Sequence, residues 1–149
     1  MQALLTAIVV WLSTSFDLPA LYEPPRVEFL SAAQMVAQRY KPLIPAERAI
    51  NAQGDKGSSG IVAVYNDDTR TIYLPDGWAG RTPAELSILV HEMVHHLQNI
   101  AKLRHECPQA REKLAYEAQD KWLVLFGTSL EREFEIDGFT LLAKTSCVG

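Results

Sequence analysis

Two histidines four residues apart, with a glutamate beside the first, stand at His91-Glu92-Met93-Val94-His95. On an α-helix, positions i and i+4 lie one above the other on a single face, so both imidazoles reach one metal ion. Glu92 is offset around the helix, where its carboxylate holds a water on that metal instead of ligating it. A zinc ion with two His and one further protein ligand keeps its fourth position for that water, and lowers the water's pKa from ~15.7 to about 7. The chemistry on offer is metal-assisted hydrolysis at neutral pH. The competing account is a pair of core histidines satisfied by hydrogen bonds.

The elements that must position these groups are legible around them. Ile88, Leu89 and Val90 precede the motif, Met93 and Val94 fill it, and Leu97 and Ile100 follow. A helix apolar nearly all round is a buried one. Polar side chains on it are costly unless a metal or a hydrogen-bond network satisfies them. Thr82-Pro83-Ala84-Glu85 writes the start: Thr at the N-cap, Pro at the first helical position and Glu at N3. The helix is predicted over about residues 83–103, ending before Pro108, because the residue preceding a proline resists the α region.

Pro108 opens a second helix, predicted over about 108–126, which carries Glu112, Tyr116, Glu117, Asp120 and Trp122 and ends near Gly127. Glu117 follows His95 at a distance that lets one helix end, turn and run back beside the first. This His, His and distant Glu arrangement resembles the gluzincin group of zincin-like metallopeptidases, directly so from His91 to about Asp120. The resemblance implies Zn2+ as cofactor, His91, His95 and Glu117 as its ligands, Glu92 as general base, and a peptide or protein as substrate. The family often sets a carboxylate one turn after the ligand Glu to orient a zinc-bound His. Here Lys121 holds that place and Asp120 falls one position short. Glu112, on a different face of the second helix, stays open as an alternative ligand, as do His105 and Cys107. No further His stands at the spacing of a third ligand on a tight turn. His96 points about 100° away from His95 and reads as a neighbour. Tyr116, His105, Arg104 and Arg132 are of the type that stabilises an oxyanion, and Tyr116 equally suits packing.

Residues 61–65 and 71–74 are β-branched and aromatic runs around Asn66-Asp67-Asp68-Thr69-Arg70, a β-hairpin signal. The resemblance implies a strand edge that takes an extended peptide; a purely structural hairpin is the other reading. Residues 54–60 are a Gly- and Ser-rich loop without the Gly-Lys-Ser/Thr ending of a phosphate-binding loop. In the first sixteen residues Leu4, Leu5, Ile8, Val9, Trp11, Leu12 and Phe16 suit a helix packed onto the domain better than an export signal, since no Lys or Arg precedes them. Residues 19–25 read as an extended connector. Ser31-Ala32-Ala33-Gln34 opens a short helix that ends before Pro42. Thr128-Ser129-Leu130-Glu131 opens a last helix, predicted over about 129–144.

The chain of 149 residues is long enough for one domain with a sizeable core. Its net charge of −4, with both signs mixed, leaves no footprint for nucleic acid. No apolar run reaches the length of a membrane span, so membrane insertion is not expected. Oligomeric state is not written in the sequence. Cys107 and Cys147, the only cysteines, sit at element ends and are read as a disulfide, which favours a periplasmic or secreted location; two reduced thiols in the cytoplasm are the alternative. The expected fold is a compact α+β zincin-like domain, mostly helical, with the hairpin before the motif helix. The expected function is zinc-dependent peptide hydrolysis. An inactive zincin scaffold that binds metal or a protein partner is the runner-up.

Overall fold

A computed structural model describes residues 1–20, 23–40 and 63–147. The predicted loop 54–60, the end of the helix before Pro42 and the first two positions of the predicted strand 61–65 lie outside them. In chain order the elements are α1 (Gln2–Phe16), β1 (Arg26–Leu30), α2 (Ala32–Tyr40), β2 (Val64–Asn66), β3 (Thr71–Pro75), α3 (Pro83–Ile100), α4 (Pro108–Leu125), α5 (Leu130–Phe134) and α6 (Gly138–Thr145). The fold class is α+β, as expected, with helix predominating among the described residues. The chain forms two compact units, one of Met1–Pro24 with Gly80–Gly149 and one of Pro25–Ala79. No helix among the described residues is long and apolar enough to cross a membrane.

In the first unit α1 buries Leu5, Ile8, Val9 and Leu12, a stripe at helical spacing that packs against α3. Trp11 of α1 also meets Trp122 of α4 edge to face, with ring centroids 5.3 Å apart. The start of α3 follows its sequence signal. Thr82 Oγ1 accepts from the Glu85 N–H at 3.1 Å, and the Glu85 carboxylate reaches back to the N–H of Arg81 at 3.0 Å, one residue before the usual partner. Residues 87–98 are all buried, so this is the central helix of its unit.

Both long helices end alike. Lys102 adopts a left-handed conformation (φ 55°), its N–H returns to the Asn99 carbonyl, and the Leu103 N–H returns to Gln98. Gly127 (φ 78°), bonded to Val124, and Thr128, bonded to Leu123, repeat the pattern after α4. These are Schellman closures, which satisfy the last carbonyls of a helix. The first uses Lys where glycine is usual, and α3 therefore stops at Ile100 rather than near residue 103.

The single helix expected over 129–144 is two. Ser129 Oγ caps α5 by accepting from Arg132 N–H, and Glu135 then turns left-handed (φ 57°). Asp137 starts α6 afresh, its carboxylate accepting the Thr140 N–H at 2.7 Å. An Asp-Gly pair inside an apparently continuous helical pattern is a competing cap, and here it wins. A disulfide joins Cys107, the N-cap of α4, to Cys147 after α6, with Cα atoms 5.8 Å apart.

In the second unit the expected hairpin is present. β2 pairs antiparallel with β3 (Val64↔Tyr73, Tyr65↔Ile72, Asn66↔Thr71), and the Asn66 side chain closes the turn by accepting the N–H groups of Asp68 and Thr69. The sheet has a third strand that the sequence reading missed. β1 pairs parallel with β3 from Arg26↔Thr71 to Leu30↔Pro75, so β3 is the middle strand and Thr71 to Leu74 are buried. The helix α2 opens with both capping-box bonds formed between Ser31 and Gln34.

Candidate metal centre

Helices α3 and α4 run antiparallel, as their cross-links require. Partners rise along one helix as they fall along the other: Ser87 and His91 meet Gln119, whereas His95 and Gln98 meet Arg111. The motif's polar groups therefore face a defined stripe of α4. Glu112, Ala115, Gln119 and Leu123 recur at intervals of three and four along it, the spacing of one helix face.

On that stripe the Glu112 carboxylate spans both histidines. Its Oε2 lies 2.9 Å from His91 Nε2 and its Oε1 lies 3.1 Å from His95 Nε2. The three groups offer ligand atoms that all fall within 4.8 Å of one another. His91, His95 and Glu92 are enclosed, at 9%, 6% and 7% exposure. Burial by itself raises the Glu112 carboxyl, but hydrogen bonds from His91 and His95 and their charge outweigh it and hold the group well below the usual carboxylate range. The outer nitrogens are also engaged, His91 Nδ1 with Gln119 Oε1 and His95 Nδ1 with Gln98 Oε1, each at 2.9 Å. Tyr116 lays its ring edge to face on His91, centroids 4.6 Å apart.

The third group is thus Glu112 and not Glu117. Five residues on a helix rotate the side chain by about 140°, so only one of the two can face α3. Glu117 is exposed to solvent. Asp120 is engaged away from the histidines, its Oδ1 accepting the N–H of Leu130 at 3.0 Å to tie α4 to the start of α5. His105 is exposed beyond the end of α3; partial burial, then the charges of Arg111 and His95, lower its imidazole pKa. Cys107 is held in the disulfide, which removes it as a ligand. His96 is fully buried and engages the Glu23 carbonyl through Nε2. Arg104 and Arg132 are both exposed.

Sequence reasoning passed over Gln98, Gln119, Ser87 and Arg111. The stripe through Glu112 and Gln119 held the signal, because a buried amide about two helical turns from a carboxylate on the same face marks a polar seam.

Comparison with curated proteins and with solved structures gives no match. Residues 1–148 match the family described as a domain of unknown function (DUF6647), and the chain belongs to that family.

Proposed function

We propose that His91, His95 and Glu112 hold a divalent metal ion, zinc by the character of the donors, and that the chain is a metal-dependent hydrolase of peptide bonds. The observation that carries this reading is the convergence of two imidazole nitrogens and a carboxylate within 4.8 Å, with both histidines buried and the carboxylate half-buried. Two His and one carboxylate form a donor set that suits zinc and leaves one position open. The set keeps the His, His and distant Glu logic of gluzincins, with the distant glutamate five residues earlier than the resemblance implied.

A cation bound there supplies Lewis acidity, which polarises a carbonyl and acidifies water. Glu92, buried one residue from His91, is assigned as general base: its carboxylate takes the proton of the attacking water and hands it to the departing amine nitrogen. Tyr116, whose ring packs on His91, is the residue we assign to donate to the developing oxyanion. The substrate we favour is an extended or unstructured polypeptide. The disulfide suits a periplasmic or extracellular setting.

The test pairs metal analysis with hydrolysis. Purified protein is expected to carry about one zinc per chain and to cleave members of a library of unstructured fluorogenic peptides. Glu92→Gln is expected to keep the zinc and lower the rate by at least ~100-fold. A protein that takes up no zinc would refute the metal assignment. Zinc-loaded protein that cleaves no peptide would refute the peptidase assignment and leave metal binding or partner recognition.

A further inference from the structure

We infer that Gln119 and Gln98 are positioning residues that fix which nitrogen of His91 and His95 is presented to the metal. This rests on the metal-binding reading above. In gluzincins an orienting carboxylate is expected one turn past the ligand glutamate; in this chain two amides do the orienting, from different helices.

The polarity of each relay follows from where it ends. The Ala84 carbonyl can only accept, so the Ser87 hydroxyl spends its proton there, at 2.7 Å. The Ser87 oxygen is then an acceptor for Gln119 Nε2 at 3.2 Å. That orientation turns the Gln119 carbonyl oxygen to His91 Nδ1 at 2.9 Å, and the ring must donate. The second relay is shorter. The Arg111 carbonyl accepts from Gln98 Nε2 at 3.2 Å, which turns Gln98 Oε1 to His95 Nδ1 at 2.9 Å. Both chains end on backbone carbonyls, which cannot reverse. Both Nδ1 atoms therefore donate to the amides, and Nε2, the nitrogen that meets Glu112 in each ring, is the one left on the side where a cation would sit.

Burial makes the arrangement rigid. Gln119 is 5% exposed and Gln98 1%, so an inverted amide would set its buried oxygen against the Ser87 oxygen or the Arg111 carbonyl, acceptor against acceptor. Because the relays are neutral, they orient the ligands without adding charge. A carboxylate in either place would also accept from Nδ1, but it would make the imidazole a stronger donor and the cation less electrophilic.

The experiment is a zinc titration against a chromophoric chelator, on wild-type protein and on Gln119→Met and Gln119→Glu. These two replacements match the glutamine in length and differ in whether they accept. Gln119→Met is expected to bind zinc about 10–100-fold more weakly, whereas Gln119→Glu binds at least as tightly as wild type. Long-range 1H–15N spectra of zinc-loaded wild type are expected to show Nδ1 protonated and Nε2 metal-bound in both rings. Three results would each overturn the inference: Gln119→Met binding within about twofold of wild type, Gln119→Glu binding as weakly as Gln119→Met, or metal on Nδ1. Should Gln119→Met lose its helical circular dichroism, Ser87→Ala replaces it: the side chain of Gln119 stays but its anchor is gone, and a several-fold loss is expected against no change. Wild-type protein that binds no zinc in the first titration refutes the metal reading itself, a result distinct from all of these.

Discussion

Arg111 donates from its guanidinium to the backbone carbonyl of His95 at 3.1 Å, while its own carbonyl receives the amide of Gln98 at 3.2 Å. One residue thus stitches the C-terminal half of α3 to the first turns of α4 in both directions. Glu112 follows it directly and inherits that register. Replacing Arg111 by Met is expected to cost about 1–2 kcal/mol of unfolding free energy, for a partly buried hydrogen bond from a charged donor. Urea denaturation reads this, and Arg111→Lys should recover only part of it, since an ammonium lacks the planar fork.

The two glutamates of α4 make opposite predictions. Glu112→Gln is expected to weaken zinc binding by on the order of 100-fold or more, because a ligand should matter at least as much as the partners behind it. Glu117→Gln lies on the exposed face and is expected to bind as wild type does. Equilibrium dialysis of both variants distinguishes them. The reverse ranking would return the third ligand to Glu117.

Metal removal should be visible in stability. At free zinc about 100 times its dissociation constant, binding to the folded state alone adds about 2.7 kcal/mol. For a chain of this size that corresponds to roughly 5–10 °C in Tm. Calorimetry with zinc and with a chelator measures it, and an unchanged Tm would contradict the assignment.

The disulfide between Cys107 and Cys147 closes a span of 40 residues. Loop-closure entropy puts its contribution at about 4 kcal/mol. Cys107→Ser with Cys147→Ser should lower the urea midpoint accordingly, and treating wild type with a reductant should reproduce the effect.

Acid should act on α6 through its cap. Backbone and side-chain hydrogen bonds from Thr140 lower the pKa of the Asp137 carboxyl from its ordinary value. A carboxylate with a depressed folded pKa stabilises the protein above its unfolded pKa, about 3.9, and loses that contribution as pH falls through the lower folded value. Asp137→Ala is therefore expected to have a lower Tm than wild type near neutrality. The gap should close in strong acid, as thermal melts across a pH series would record.

Sequence carried the local features well. Thr82, Pro83 and Glu85 are neighbours, so the start of α3 was written within one turn. The apolar run around His91 foretold a helix buried on every side. What it could not carry was rotation and distance. Whether Glu112 or Glu117 faces the histidines depends on how residues 101–107 turn, and that turn relies on Lys102 taking a left-handed conformation that no side chain advertises. Arg26 to Leu30, after the connector at 19–25, carried no strand signal of its own, because its partner β3 lies far along the chain and parallel pairing leaves no adjacent turn signal. The glutamines were overlooked because an amide has no spacing rule of its own. Its role comes from what ends up on either side of it.

The link between Cys107 and Cys147 also makes a ring of the chain that contains all of α4, α5 and α6. A single proteolytic cut anywhere from 108 to 146 opens that ring without dividing the molecule. The nicked protein would migrate at full mass until reduced; a cut before Glu112 leaves that residue tethered through sulfur to the portion that carries His91 and His95, and a later cut leaves it joined to them by peptide bonds.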